Sequence, residues 1–195
     1  MESTQLDPLL LASYQKAVHE FGEPLQTFAG RMLGDEANWA EDVAQDALLA
    51  LYRHIHQVPE AAWRPWLYRV TRNLCLDRLR RRKHRPKNFR DLADEENRDP
   101  ALPDRFVSSP ETAAEEREIQ KDLARAIRDL PDRFREVFLL CEGQGLSYEE
   151  VSTTLDIPLK TVSTRLYRAR QRLLKAMARY LDPAGTRPHG MGSPE

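Results

Sequence analysis

A stripe of basic and hydroxyl side chains near the C-terminus is the most informative chemistry in this sequence. No acidic residue interrupts it between Asp156 and Asp182. Its members are Lys160, Thr161, Ser163, Thr164, Arg165, Tyr167, Arg168 and Arg170. Guanidinium and ammonium groups bind phosphates and guanine edges, and hydroxyl groups bind bases or phosphates. The stripe therefore predicts a nucleic-acid contact, and the alternative is a basic helix face that is only solvated.

Two short helices joined by a tight turn must position this stripe. Ser147 and Glu150 have the spacing of a capping box at the start of the first helix. Pro158 suits the first position of the second helix. On the side of that helix away from the stripe, apolar residues recur at helical spacing: Leu159, Val162, Leu166, Ala169 and Leu173. The pattern predicts a helix-turn-helix whose second helix enters a DNA major groove.

A second basic block, from Trp63 to Arg90, mixes arginines with aromatic residues. Aromatic rings stack on exposed bases while cations follow the phosphates, so this composition suits single-stranded nucleic acid. The alternative is that the aromatic residues belong to the core and the arginines are only solvated. We expect each interpretation to hold for some of these residues. The residues expected to face inward are Trp66, Val70 and Leu74. The residues expected to face outward are Arg69, Arg72 and Asn73.

The remaining apolar spacing is also helical. It predicts a helix from Leu9 to Phe21, a break at Gly22-Glu23-Pro24, and a second helix that Gly34 ends as a C-cap. A long helix follows over 40–55, in which Val43, Ala47, Leu51 and Ile55 recur every four residues. The pattern alone predicts that the polar side of that helix faces solvent and has no further role.

The overall organisation is predicted as all-α, with two small helical domains joined by a flexible acidic linker. The formal net charge is -1, so the basic segments are balanced by an acidic spacer led by Asp91, Asp94, Glu95 and Glu96. That spacer contains several prolines and few apolar residues, which is typical of a linker. The predicted bounds are 1–84 and 113–182 for the domains, 85–112 for the linker and 183–195 for a disordered tail.

Several function classes are not expected. Cys75 and Cys141 form no CxxC pair, which fits a reducing cytoplasm. His54 and His56 lie two residues apart and point to different sides of a helix, so they make a poor metal pair. The sequence shows no signal peptide and no long apolar run. We expect no metal, cofactor, small-molecule substrate or membrane insertion, and the absence of catalytic motifs argues against an enzyme.

Three stretches in this order resemble the bacterial RNA polymerase sigma factors of the extracytoplasmic-function (ECF) type, within the sigma-70 family. They are 40–47 (AEDVAQDA), 66–74 (WLYRVTRNL) running into Asp77 and the basic block, and 130–170, which includes the helix-turn-helix. The resemblance covers roughly residues 9–180. It implies a protein that binds core RNA polymerase, reads the -10 and -35 promoter elements, and promotes promoter melting.

The resemblance also implies residue roles. Core polymerase would bind Asp42, Gln45 and Asp46. The segment 58–73 would capture flipped bases of the -10 element, and the residues implied for -10 DNA are Trp63, Arg64, Arg69, Arg72, Asn73 and Arg80. The -35 element would be read by the C-terminal stripe, with Arg165 and Arg170 on phosphates. The acidic linker would lie in the RNA-exit path of the polymerase, and an anti-sigma factor is an expected partner.

The sequence departs from the family at two positions in the helix-turn-helix. Asp156 stands where the family often has Gly, although Asp tolerates a left-handed conformation better than most residues. Ser163 stands where many members have Lys or Arg, which removes one expected phosphate or base contact. An alternative function is a stand-alone helix-turn-helix regulator with a helical sensor domain, but it leaves the aromatic-basic block at 63–83 unexplained.

Overall fold

The computed structural model describes residues 8–84 and 110–181, and every regular element in those ranges is helical. The predicted all-α class is confirmed. The N-terminal unit contains α1 (Pro8–Leu33), α2 (Ala40–His54) and α3 (Trp63–His84), with 3-10 turns at Gly34–Trp39 and Glu60–Ala62. The C-terminal unit contains α4 (Pro110–Arg128), α5 (Asp132–Phe138), α6 (Tyr148–Leu155), α7 (Leu159–Ala176) and α8 (Ala178–Leu181).

The predicted linker and tail lie almost entirely outside the described residues. The exception is the end of the linker range, because α4 begins at Pro110 and residues 110–112 are therefore helical. The predicted bounds of the two domains stay predictions. The end of α3 and the beginning of α4 nevertheless lie close to the two ends of the predicted linker.

The predicted break at Gly22-Glu23-Pro24 is wrong, because α1 runs unbroken from Pro8 to Leu33 with Pro24 inside it. An interior proline costs about 3 kcal/mol, since it removes one backbone hydrogen bond and crowds the preceding turn. Leu25 and Phe28 on the same helix are fully buried. Burying two such side chains contributes roughly 1.5–3 kcal/mol each, so packing outweighs the local penalty. Gly34 does end α1, with a left-handed φ of 60°.

Helix α2 has the predicted apolar stripe, whereas the inward face of α3 is rotated from the predicted one. Val43, Ala47, Leu51 and Ile55 are all buried. In α3 the most buried stripe is Trp63, Leu67, Thr71 and Cys75. The predicted inward residues, Trp66, Val70 and Leu74, are only partly buried and pack on the flank of the core. Thr71 conceals the true stripe in the sequence, because its hydroxyl donates to the Leu67 carbonyl oxygen at 2.8 Å and needs no water.

The helix-turn-helix forms as predicted in α6 and α7. The Ser147 hydroxyl accepts from the Glu150 amide at 3.1 Å, and the Glu150 carboxylate accepts from the Ser147 amide at 2.8 Å. Asp156 adopts the left-handed conformation that the turn requires, with φ 53° and ψ 52°. The inner face of α7 is buried, and its residues are Val162, Leu166, Ala169 and Leu173. The turn therefore survives the replacement of Gly by Asp.

The apolar core is continuous from the N-terminal unit into the C-terminal unit. One cluster of buried side chains contains Phe28, Leu51 and Leu67 together with Val151 and Leu166. A smaller cluster belongs to the C-terminal unit alone and consists of Leu130, Phe134, Ala169 and Leu173. The two units are therefore packed face to face, in addition to being joined along the chain. This contact determines which predicted site residues are accessible.

Candidate nucleic-acid interface

The outer face of α7 presents a group of polar side chains to solvent. Lys160, Ser163, Tyr167 and Arg168 are all exposed, and Tyr167 is 63% exposed. None of these four side chains makes a hydrogen bond or ion pair with another described residue. They can therefore bind an external ligand without breaking a contact to the described part of the chain. This is the arrangement that the sequence predicted for a recognition helix.

The other members of the predicted stripe already have partners within the C-terminal unit. Arg165 donates to the Glu136 carboxylate at 3.3 Å, and Arg170 Nε donates to Glu142 at 3.1 Å. The hydrogen bond that Arg170 donates to the Glu142 carboxylate raises the pKa of Arg170, which stays cationic. The Thr164 hydroxyl donates to the Lys160 carbonyl oxygen at 2.8 Å, and Thr161 is half-buried. The stripe is therefore divided between free residues and paired ones.

Three arginines of α3 that were predicted to contact -10 DNA, namely Arg64, Arg69 and Arg72, donate hydrogen bonds to the C-terminal unit. Arg64 donates to the Gln144 carbonyl oxygen at 2.5 Å and lies 3.6 Å from the Glu150 carboxylate. Arg69 donates to the carbonyl oxygens of Thr153 and, at 3.3 Å, Thr154. The expectation that Arg69 and Asn73 are exposed is confirmed.

Arg72 is half-buried and therefore does not face outward as predicted. Its Nε donates to Glu136 Oε2 at 2.8 Å, and the Glu136 side chain is only 5% exposed. The physical reason is the packing of the two units, which encloses this face of α3. Glu136 thus pairs with Arg72 of the N-terminal unit and Arg165 of the C-terminal unit at the same time.

The other predicted -10 residues differ in exposure. Arg80 is exposed and pairs with Asp77 at 3.2 Å. Asn73 Oδ1 accepts from Arg72 at 3.2 Å. Trp63 is only 4% exposed, and its indole Nε1 donates to the Val58 carbonyl oxygen at 3.0 Å. Trp63 therefore supports the loop before α3, and it contributes to a cleft of about 490 Å³ that this loop forms with the start of α1.

The predicted polymerase-binding residues share one exposed face of α2. Asp42, Gln45 and Asp46 are exposed, while Val43 and Ala47 on the opposite side are buried. Gln45 donates to the Glu41 carboxylate at 3.1 Å. Leu49 follows on the same face and is 43% exposed, although the sequence had not singled it out. An apolar residue next to this polar group is typical of a protein contact.

Two residues at the contact between the units carried no signal in the sequence. Glu136 occupies an ordinary helix position, but it is buried and binds two arginines. Gln144 lies in the loop before α6, where its backbone oxygen accepts from Arg64 and its Oε1 accepts from the Tyr68 hydroxyl at 2.7 Å. Burial raises the pKa of Tyr68 to about 12, so this hydroxyl remains a donor.

The described residues contain no group of His, Cys, Asp and Glu side chains that is suited to a metal ion. Their helices also include none that is long and apolar enough to cross a membrane. Burial raises the pKa of Cys75 to about 12 and that of Cys141 to about 11. The two thiols are consequently poor nucleophiles at neutral pH.

Two family models match this chain. Residues 17–85 match Sigma-70 region 2, and residues 120–173 match Sigma-70, region 4. The chain is 35% identical over 153 residues to the RNA polymerase sigma-H factor of Pseudomonas aeruginosa, covering 76% of this chain and 78% of that protein. It is 33% identical to the ECF sigma factor SigW of Bacillus subtilis, covering 75% and 79%.

A third relative and two solved structures extend the similarity. The ECF sigma factor SigE of Mycolicibacterium smegmatis is 31% identical over 174 residues, which is 89% of this chain but 65% of that protein. The sigma factor RpoE of Bartonella quintana, solved with the anti-sigma factor NepR, has a TM-score of 0.64 at 21% identity and covers 85% of this chain and 96% of its own. CnrH, solved with the cytosolic domain of CnrY, has a TM-score of 0.58 at 21% identity and covers 88% and 96%. These two structures support the fold.

Proposed function

This chain belongs to the ECF sigma factors of the sigma-70 family, and we propose that its described surfaces divide promoter recognition between them. Sigma factors of this family are transcription initiation factors that direct RNA polymerase to specific promoters, and they are not catalytic enzymes. The alternative of a stand-alone regulator leaves the region 2 match at 17–85 without a role. The residue roles below extend the family function to this sequence.

The outer face of α7 reads the -35 element from the major groove. The observation that carries this proposal is the free, exposed group of Lys160, Ser163, Tyr167 and Arg168 on a helix whose other face is buried. Such a helix can approach base edges without losing internal contacts. Thr161 and Thr164 flank this group. Arg165 and Arg170 contact phosphates, for which they exchange their carboxylate partners.

The -10 element is bound by α3 and the loop before it. Arg64, Arg69, Arg72 and Arg80 hold the backbone of the separated strand, with Asn73 beside them. The cleft next to Trp63 has the concave shape that an extruded base needs. Flipping a base costs a few kcal/mol, which stacking and pocket contacts return. Trp63 acts here by lining the cleft, because its ring is buried.

Core RNA polymerase binds the exposed face of α2 through Asp42, Gln45 and Asp46. Polymerase can bind these three side chains without disturbing the fold, since none of them contributes to the core. The protein works in the cytoplasm with the polymerase, and it needs no cofactor or substrate of its own. An anti-sigma factor is an expected partner, in keeping with the solved complexes of RpoE with the anti-sigma factor NepR and of CnrH with the cytosolic domain of CnrY.

The test is in vitro transcription with purified bacterial core polymerase and a promoter library. The expected result is core-dependent initiation from a subset of promoters that share a -10 and a -35 sequence. When the protein is at limiting concentration, substituting both Asp42 and Gln45 by alanine should abolish core-dependent initiation. Failure of the intact protein to bind core polymerase in a pull-down, with no inhibitor present, would contradict the proposal.

A further inference from the structure

Two side chains with large apolar surfaces lie exposed on α7 beside its basic residues. Tyr167 is 63% exposed and Leu159 is 45% exposed. Neither belongs to the two clusters of packed hydrophobic residues in the described part of the chain. Tyr167 also makes no ring contact, hydrogen bond or ion pair with another described residue. The packing of the fold therefore does not account for these two side chains, and Leu159 has no role in the proposed function.

The exposed face of α7 is divided into two rows of different chemical character. Residues four positions apart share one side of a helix, so each row contains every fourth residue. The apolar row consists of Leu159, Ser163 and Tyr167. The basic row beside it consists of Lys160, Thr164 and Arg168, which are all exposed. Neither row contains a carboxylate, so both can approach the phosphates of a DNA groove without charge repulsion.

The two rows suit different groups on the base edges of a major groove. A cation binds the N7 and O6 acceptors of guanine, whereas an apolar side chain contacts the methyl group of thymine. Ser163 adds no cation to the apolar row, and its short side chain lets the helix approach the bases closely. Leu159 and Tyr167 are about 12 Å apart along the helix axis, so they reach different base pairs. The apolar row is therefore suited to a thymine contact near each of its ends.

We propose that Leu159 and Tyr167 select thymine at two positions of the -35 element by covering the methyl group of the base. This inference rests on the proposed function, in which α7 reads the -35 element, and it names the class of base that the helix prefers. The ligand of the apolar row is duplex DNA because the row lies directly beside the basic row. A protein partner of an apolar row would not need the cations that accompany it.

The experiment uses holoenzyme reconstituted from core polymerase and the full chain. Competitive initiation on a library randomised across the -35 element first identifies the preferred bases. Each preferred thymine, on either strand, is then replaced by deoxyuridine, which removes the methyl group and keeps every hydrogen-bonding group of the base. At two positions we expect the affinity of the wild-type holoenzyme for the promoter to fall about fourfold, which corresponds to about 0.8 kcal/mol for one buried carbon. The same replacement in the spacer between the two elements is the DNA control, and it should have no effect.

The variants assign each thymine to a side chain. Tyr167→Ala should abolish the discrimination between thymine and uracil at one position, and Leu159→Ala should abolish it at the other. Tyr167→Phe should retain the discrimination, because the ring covers the methyl group without help from the hydroxyl. Leu174→Ala is the matched control. Leu174 is 50% exposed on the same side of α7, but it lies about 10 Å beyond Tyr167, towards the C-terminal end of the helix. This variant should discriminate as the wild type does, and circular dichroism verifies that each variant is folded.

The results separate this inference from the proposed function. Equal affinity of the wild-type holoenzyme for thymine and uracil promoters would overturn the thymine contact, and so would a preferred element composed only of G·C pairs. Discrimination that survives Tyr167→Ala would overturn it as well. In each of these cases the proposed function still holds if Arg168→Ala relaxes the preference at one -35 position. If no substitution on α7 changes the preference at any -35 position, the assignment of α7 to the -35 element is itself wrong.

Discussion

Arg168 offers the sharpest test of how the recognition helix reads DNA. Its side chain is exposed and has no hydrogen bond or ion pair with another described residue. Alanine favours helices at least as well as arginine does, so Arg168→Ala should change the free energy of unfolding by no more than about 0.5 kcal/mol. Any larger loss of activity then arises from the lost DNA contact.

The size of that loss follows from the kind of contact. An arginine that binds a base edge with two donors contributes about 1–3 kcal/mol of discrimination, or roughly a 5- to 150-fold loss in affinity at one promoter position. The assay is competitive initiation by the reconstituted holoenzyme on promoters substituted one at a time across the -35 element. For Arg168→Ala, we expect preference to relax at one position and to persist at the others.

Arg170→Ala is the matched control, since it removes the same charge from the same helix. Arg170 pairs with Glu142 at the surface, and an exposed pair of this kind contributes about 0–1 kcal/mol to stability. As a proposed phosphate contact, Arg170 should affect all promoter sequences alike and reduce the slope of the salt dependence by about one. If Arg168→Ala produces the same uniform loss, the assignment of Arg168 to a base is refuted.

Three further outcomes are expected. Substituting Asp42 and Gln45 together by alanine should weaken core-polymerase binding in a pull-down while circular dichroism remains that of the wild type, because both residues are exposed; undiminished capture of core would place the docking surface elsewhere. Ser147→Ala should lower the free energy of unfolding by about 1 kcal/mol in denaturant titrations, since it removes one half of the capping box. Burial raises the pKa of Cys75 to about 12 and of Cys141 to about 11, so iodoacetamide should alkylate the native thiols slowly at pH 8 and quickly only in urea. Equal alkylation rates with and without urea at pH 8 would contradict the burial. Because the pKa of each thiol is higher in the folded than in the unfolded chain, the free energy of unfolding that the buried neutral thiols contribute is complete below pH 9 and is lost as the pH rises towards 11–12.

Local signals in the sequence were sufficient for the helix-turn-helix. The capping box at Ser147 and Glu150, the left-handed residue Asp156 and the apolar stripe of α7 all act within a few residues, and all are confirmed. The same local reasoning failed at Pro24, where burial of neighbouring side chains outweighs the helix-breaking tendency. It also misplaced the inward face of α3, because a buried threonine that satisfies its own hydroxyl looks polar in the sequence.

The contact between the two units could not have been predicted from the sequence. The partners of Arg64, Arg69 and Arg72 in the C-terminal unit lie more than sixty positions away along the chain, and most of them are backbone oxygens that every residue type supplies. Glu136 differs from other helical glutamates only in its surroundings. The correct family and the candidate residues that it implied therefore did not reveal which partners those residues have in the structure.

The contact between the two units leaves the proposed polymerase-binding face of α2 open, and this has a kinetic consequence. Asp42, Gln45 and Asp46 are exposed while the arginines of α3 are engaged, so the closed chain can meet polymerase before its units separate. Glu136→Gln removes the carboxylate that binds Arg72 of α3 and Arg165 of α7, and it should therefore weaken the contact between the units. If docking precedes opening, Glu136→Gln and the wild type should associate with core polymerase at equal rates in stopped-flow fluorescence. Their rates of binding to single-stranded DNA should differ, with the wild type slower, because binding that requires a conformational change lowers the association rate. A slower association of the wild type with core polymerase would show that the units must separate before docking, and it would move the polymerase contact to a surface that the closed chain covers.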